Sequence, residues 1–413
     1  MNPSLRYDAL IVGAGIAGSA LAYALSTVPR PNGKPFRIAL LERSLVEPDR
    51  MMGELLQPGG VMALRNLGLE ACLEQTDVNL MDGYHIYDNG ESVRFPFPTG
   101  YQGRSFHHGR FVMNLRGKAM KAKGVEVIEA TVSELLENAN RVIGVRATRR
   151  RKRPCKPSLE ESPATDASSD ESFFADLVFI ADGCFSHFRT AILGTKSKSR
   201  TISHFVGTIL EDAILPYPNH GMVALVHGSG PVLLYQIGQK DTRMLVDLKI
   251  PLPKDFKVII LNRAYGCFPD VDYCIQAHIL DHVLPQLPPT LHQSIRIALE
   301  KNRLRRMPNS FLPPVRQGLP DRKKGVILIG DAWNMRHPLT GGGMTVALHD
   351  VVLFRGLLSH VDDLTDWERI RQILYHWHWR RKPLAATINI LSVSLHGVCV
   401  ADSLSSFFPI AVT

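Results

Sequence analysis

Three glycines set the frame for this chain. Residues 7–25 read YDALIVGAGIAGSALAYAL: an apolar run, Ala9 to Val12, leads into Gly13, Gly15 and Gly18. Ile16 and Ala17 open a small-residue helix pattern, and a second apolar run from Arg37 to Leu41 ends at Glu42. Gly13 permits a tight turn, Gly15 a close backbone approach, and Gly18 close packing of helix on strand. Strand before, helix after and an acid at the right distance make this a dinucleotide-binding βαβ unit, where the bare G-x-G-x-x-G alone reads equally as a structural turn. A pyrophosphate would sit at the helix N-terminus, where free N–H groups and the dipole favour an anion. Glu42 lies where an acid binds an adenosine ribose.

The 413 residues, 45% hydrophobic and 21% charged, suit a globular enzyme with a large core in two intertwined domains. The net charge of +9 is concentrated at Arg149–Arg153, with no nucleic-acid module around it, so no nucleic-acid partner is expected. Cysteines 72, 155, 184, 267, 274 and 399 show no C-x-x-C spacing and read as free thiols, and no metal site is expected. The first apolar run is the nucleotide strand itself and not a signal peptide. Leu384 to Ala401 carries no Asp, Glu, Lys or Arg, but Asn389, Ser392, Ser394 and His396 make it a buried or membrane-surface helix in preference to a span.

Along the chain, a helix is expected to start near Pro58 and stop at Gly68. Asn89-Gly90 marks a hairpin between Tyr84–Tyr87 and Ser92–Phe95. Another helix begins near Gly109, and Val125–Leu136 and Val142–Thr148 alternate like strands. Residues 149–172 read as a disordered insertion. Phe174–Ala181 and Val326–Ile329 read as buried strands, and residues 203–250 as a separate sheet for substrate. From Val346 onward the pattern is helical. The expected fold class is α/β, with a Rossmann-like dinucleotide-binding domain interleaved with a β-sheet substrate domain and followed by a helical C-terminal segment. The expected boundaries assign residues 1–85, 111–200 and 311–360 to the nucleotide domain. They assign 86–110 and 201–310 to the substrate domain, and 361–413 to a hydrophobic, membrane-proximal segment.

Two further motifs carry chemistry. Asp182-Gly183 follows a strand, as suits a loop near a cofactor, although a plain turn explains it as well. A strand then delivers Asp331, and Gly341, Gly342 and Gly343 precede Met344 at a helix entrance. Those N–H groups suit the edge of an electron-rich ring, and Asp331 suits a hydroxyl donor.

In this order the three motifs resemble the FAD monooxygenases of the aromatic-hydroxylase type. Longer strings narrow the resemblance: Gly53-Glu-Leu-Leu-Gln57-Pro-Gly-Gly60, Gly83-Tyr84, Phe106-His-His-Gly109-Arg110, Ser203-His-Phe-Val-Gly207, Met307-Pro-Asn-Ser-Phe-Leu-Pro-Pro314 and residues 331–346 are similar to the squalene epoxidase (squalene monooxygenase) family. The resemblance runs from about Tyr7 to about Asp402. It implies FAD, O2, NADPH supplied indirectly through a flavoprotein reductase, and epoxidation of squalene to 2,3-oxidosqualene in sterol or triterpenoid synthesis. It also implies a lipid membrane surface, on the cytosolic face of the endoplasmic reticulum. Carried over by position, Glu42 and Arg43 meet the adenosine half of FAD, with Arg50 and Arg110 nearby and Val132 contacting adenine through its backbone. Asp331 and Met344 serve the pyrophosphate, ribityl and flavin side. Tyr84, held by Gln57, orients groups where oxygen is transferred, and Tyr235, Phe311, Leu312, Pro338 and Leu339 line the substrate channel. A flavin epoxidase for another prenylated substrate fits the same motifs, as does a flavin-binding copy without turnover.

Overall fold

The computed structural model describes residues 6–30, 33–74, 77–149, 169–194, 198–249, 271–361 and 363–400. The glycine motif builds what it predicts. Strand Arg6–Val12 lies parallel to Ile38–Glu42, and helix α1 (Ile16–Ser26) joins them with seven buried residues, most of them small. Strand Val125–Asn138 extends this parallel sheet on one side, and Val326–Leu328 closes it on the other. Between them, strand Ser169–Ile180 changes partner at Phe174. Its first half runs antiparallel to Arg141–Arg149, and its second half runs parallel to Arg6–Val12.

That partner change corrects one expectation. Arg149 and residues 169–172 belong to strands, with Ser169 opposite Arg149 and Asp170 opposite Thr148, because the antiparallel ladder continues to where the chain returns. The rest of the expected insertion, 150–168, lies outside the described residues, as does the end of the chain from 401.

The second layer is a seven-stranded sheet in the order 305–311, 200–211, 241–249, 232–236, 220–224, 83–88, 91–96. All neighbours are antiparallel except His220–Ala224 with Gly83–Asp88. The hairpin turns at Asn89 (φ 45°) and Gly90 (φ 91°), as the Asn-Gly pair dictates. Its first strand starts at Gly83 and so reaches into the stretch assigned to the nucleotide domain.

Period-two alternation gives this sheet two different faces. Val232, Leu234, Met244, Val246 and Leu248 point to one side and pack under helices Val271–His278 and His292–Glu300. Leu233, Tyr235 and Leu245 point to the other, into an apolar cluster with Met51, Leu55, Phe205 and Leu339. Arg243 and Asp247, two residues either side of Leu245, share that second face. It looks toward the nucleotide layer.

Helix α2 (Pro58–Leu67) has proline in its first turn and ends at Gly68 in the left-handed region (φ 73°). Helix α3 (His108–Met120) covers the nucleotide sheet. Helix α4 (Gly343–Leu358) is largely buried, and helix α5 (Trp367–Val400) packs along it with Trp377 stacked on Trp333. By length and composition α5 is apolar enough to cross a membrane. Its last third exposes Ile390, Leu391, Val393, Leu395 and Val398.

Candidate active site

Three loops converge on the N-terminus of α1. Gly13 adopts φ 101°, and a Cβ there would lie 2.5 Å from the carbonyl oxygen of Ala181. A Cβ on Gly330 would approach Ala17 at 3.0 Å. The loops carrying Gly13, Asp182 and Asp331 are therefore in contact. At Gly15 an added Cβ would meet nothing within 4 Å, so the backbone there faces open space. Ile16, Ala17 and Gly18 form the first turn behind it, without a side-chain cap, which leaves its N–H groups for an external acceptor.

Glu42 closes the turn from the side. Its Oε2 accepts the Ala14 N–H at 2.7 Å and lies 3.6 Å from Arg116 Nη2. Arg116 was not picked out from the sequence, yet it is buried and donates to the Ala14 carbonyl at 2.8 Å. Burial holds its guanidinium below its ordinary value, with Glu42 opposing. Its signal, one arginine in a basic helix face, looks like any solvated cation.

Asp182 and Asp331 are joined by Arg189, also missed, which donates to the carbonyls of Ala332 (2.7 Å), Asp331 (3.0 Å) and Cys184 (3.0 Å). Asp182 keeps one buried carboxylate oxygen without a partner. Asp331 is open to solvent yet enclosed by protein, and burial pushes its carboxyl up against the pull of Arg336, Arg50 and Arg189. An accessible acid and an orphaned carboxylate oxygen both suit hydroxyl donors of a bound group.

Arg43 and Arg50 are exposed at the rim, and Val132 sits half-buried where its strand changes register. Arg110 pairs with Asp77 at the surface. At the entrance of α4 the glycines differ. Gly343 faces open space, whereas a Cβ on Gly342 would strike Ile388 of α5 at 2.4 Å, so Gly342 serves helix packing. Met344 is buried beside Gly53.

Gln57 and Tyr84 meet as expected. Gln57 Nε2 donates to the Tyr84 hydroxyl and to the carbonyl of Thr340 at 2.7 Å. Both amide hydrogens are then used, and the Tyr84 O–H is left to donate elsewhere. Burial raises the Tyr84 phenol, with Gln57 opposing, so the hydroxyl stays protonated at neutral pH. Tyr84 packs edge-on against Phe97 and borders the apolar cluster that holds Tyr235 and Leu339. Pro338 opens the short turn that carries Leu339 and Thr340. Phe311 ends its strand, and Leu312 is bridged to Met335 by two backbone hydrogen bonds, beside the 331–344 segment. Sequence reading also missed a buried ion pair here: Glu54 takes both ends of Arg243 at 2.7 Å, next to Tyr235.

A family profile described as squalene epoxidase matches residues 174–406, more than half of the chain. Squalene epoxidase of Aspergillus fumigatus is 40% identical over 96% of this chain and 76% of its own length. The chain belongs to the squalene epoxidase family. Squalene epoxidase 1 of Arabidopsis thaliana is 38% identical over 95% of this chain, which spans 66% of that relative's length. Mouse squalene monooxygenase is 38% identical over 94% of this chain and 61% of its own length. The fold is that of FAD-dependent monooxygenases of the aromatic-hydroxylase type. A Pseudomonas aeruginosa structure described as a probable FAD-dependent monooxygenase, PqsL, superposes with a TM-score of 0.71 at 18% identity, covering 96% of this chain and 97% of its own. Klebsiella pneumoniae HpxO, solved with FAD and uric acid, gives 0.67 at 18% identity, covering 98% and 91%.

Two buried histidines of this family member give it a pH signature. His85 is fully buried, with neither ring nitrogen partnered, and burial lowers it from 6.5 to about 4. His108 is lowered to about 4 by burial despite a 3.0 Å hydrogen bond to the Gly53 carbonyl. Both are neutral in the fold and take up protons when unfolded. Their stability contribution is complete above pH 6.5 and drains away as pH falls toward 4, each on the order of 3 kcal/mol. Denaturant midpoints are expected to fall from pH 7 to pH 5, and His85→Leu to flatten that fall by removing one of the histidines that burial holds neutral, beside His108, His337, His349 and His378. An unchanged slope in the variant rules out His85 as a source.

Proposed function

We propose that this chain is an FAD-dependent squalene monooxygenase, drawing electrons from NADPH through a flavoprotein reductase at a lipid membrane surface. The observation that carries this reading is the Gln57–Tyr84–Thr340 contact. It stands between the open Gly343 entrance, which suits a flavin edge, and an apolar cluster whose neighbouring charges among the described residues are held by partners, Glu54 by Arg243 and Asp247 by His337, His396 and Asn309.

The residues present fit FAD. Gly13, Gly15 and the first turn of α1 would take the pyrophosphate, Glu42 the adenosine ribose with Arg43, Arg50 and Val132 around it, Asp331 and Asp182 the hydroxyl-bearing linker, and Gly343 with Met344 the flavin. When bound and reduced, the flavin supplies, with O2, an electrophilic oxygen that an alkene can take up. The protein's share is positioning and dryness. Tyr84 presents a protonated hydroxyl whose direction is fixed by Gln57. Leu233, Tyr235, Leu245 and Leu339 exclude water and grip hydrocarbon. The exposed apolar ridge of α5, with Ile390 at 64% and Leu391 and Val398 at 48% exposure, suits the boundary of a membrane from which such a substrate arrives.

The test uses FAD-loaded protein, NADPH, a microsomal flavoprotein reductase, detergent-dispersed squalene and O2, with oxidosqualene detected by mass. Product is expected, and Tyr84→Phe should lower kcat by about 10²–10³-fold if its hydroxyl helps place the transferred oxygen. A reducible bound flavin that yields no epoxide from squalene overturns the substrate assignment and leaves another prenylated alkene to be tried.

A further inference from the structure

Asp247 is the centre of a buried polar knot that the proposed reaction does not use. Its Oδ1 accepts from Asn309 Nδ2 at 3.1 Å, and its Oδ2 lies 2.9 Å from His396 Nε2 and 3.3 Å from His337 Nε2. Ser203 Oγ completes the knot, 2.9 Å from both Asn309 Nδ2 and His337 Nε2. Asp247 and His337 are at most 1% exposed, and the two imidazole rings lie 4.1 Å apart.

Two histidines and a carboxylate this close have the donor set of a divalent-cation site. The proton positions speak against that use. His337 Nδ1 accepts the backbone N–H of Leu339, and a backbone amide only donates. The hydrogen of a neutral His337 is therefore on Nε2, the nitrogen that faces Asp247, and no lone pair is left there for a metal. Burial would raise the Asp247 carboxyl, but hydrogen bonds from His337 and His396 outweigh it and hold it at about 2. A carboxylate accepts only, so His396 Nε2 donates to it as well.

The knot joins three elements: the substrate sheet through Asp247, Asn309 and Ser203, the 336–340 segment through His337, and α5 through His396. His337 also caps the Pro338–Thr340 turn, and the Thr340 carbonyl holds Gln57, which holds Tyr84. Helix α5 also touches the residues on either side of that segment, through Asn389 to Asn334 at 3.0 Å and Ile388 against Gly342. Beyond Ser392, His396 makes the polar anchor of α5 among the described residues, while Cys399 packs against the apolar cluster.

We infer that His396 is a positioning residue: its bond to Asp247 fastens the end of α5 over the apolar cluster and, through Asp247 and His337, sets the turn whose Thr340 carbonyl holds Gln57 and so Tyr84. The part that concerns turnover rests on the squalene reading; the fastening does not.

The test compares FAD-loaded wild type, His396→Phe, which keeps a ring and loses the donor, and His396→Gln, which restores a donor. Amide hydrogen exchange is expected to rise together in 338–343 and 390–400 of His396→Phe by about tenfold or more, the size of losing one hydrogen bond to a charged group, with flavin content unchanged. His396→Gln should return most of the protection. In turnover, KM for squalene should rise several-fold in His396→Phe while kcat changes less. Exchange in His396→Phe equal to wild type, or confined to 390–400, overturns the proposal, as does one equivalent of tightly bound metal in the purified protein. Coupled exchange in a wild type that makes no oxidosqualene leaves the fastening standing and removes only the squalene reading.

Discussion

Gly18→Ala is expected to give protein without bound flavin. The added Cβ would lie 1.9 Å from the Gly13 carbonyl oxygen and 3.3 Å from the Ala181 side chain. Overpacking against movable side chains costs about 1–3 kcal/mol. Here the obstacle is backbone, in a turn already committed to φ 101°, so the cost lies at or above that range. Relief requires α1 to back away from its strand, which widens the turn that would receive the pyrophosphate. Gly15→Ala separates the two causes. Its Cβ meets nothing in the protein, so folding should be preserved, yet it occupies the open space in front of the turn. Absorbance at flavin wavelengths and thermal unfolding decide the matter. Gly18→Ala should lose both colour and stability, and Gly15→Ala should lose colour alone. Retained flavin in both variants would falsify the placement of the cofactor at this turn.

The second large effect is expected at Asp350 and Arg381, which pin α5 to α4. Arg381 donates to both carboxylate oxygens at 2.7 and 2.9 Å, and its guanidinium lies 4.4 Å over the Trp333 ring. The two side chains are 3% and 2% exposed. Removing one partner strands a buried charge, at a cost of about 3–5 kcal/mol. Asp350→Ala should therefore lower the urea midpoint sharply. An apolar pair, Asp350→Leu with Arg381→Met, replaces the charges with hydrocarbon and should recover most of the loss. If the double variant is as unstable as the single one, the pair contributes through its geometry on Trp333 and Trp377 more than through charge balance.

The local features were legible because local physics fixes them. Gly13-Ala-Gly15, Pro58 with Gly68, and Asn89-Gly90 each demand a backbone shape that few other residues supply, and each appears where its chemistry places it. The apolar runs Val232–Gln236 and Arg243–Leu248 marked strands of a separate sheet, and the structure adds that Tyr235, Arg243 and Asp247 share one face of it. What alternation does not carry is the identity of a partner. Glu54 meets Arg243 across 189 positions and Asp247 meets His396 across 149. Nothing in either neighbourhood marks those residues apart from other acids and histidines. Arg116 and Arg189 were hidden for the same reason, since both act by donating to carbonyls of distant loops. The insertion was misjudged at its edges because a polar, low-complexity run masks a ladder whose partner strand had already been identified.

The two sheets share one thread. The six-stranded sheet needs residues from Arg6 to Leu328, and the seven-stranded sheet begins with Gly83–Asp88, laid parallel to a strand that arrives only at His220. A break anywhere between Asp88 and His220 would sever both. Recombination between related genes therefore has no seam in this stretch at which to exchange a whole binding layer. A protein woven this way changes what it accepts by substitution at single positions rather than by exchange of a whole layer. During synthesis, too, it emerges with neither sheet complete until most of the chain has left the ribosome, which makes its unfinished hydrophobic strands the clients that chaperones must shield.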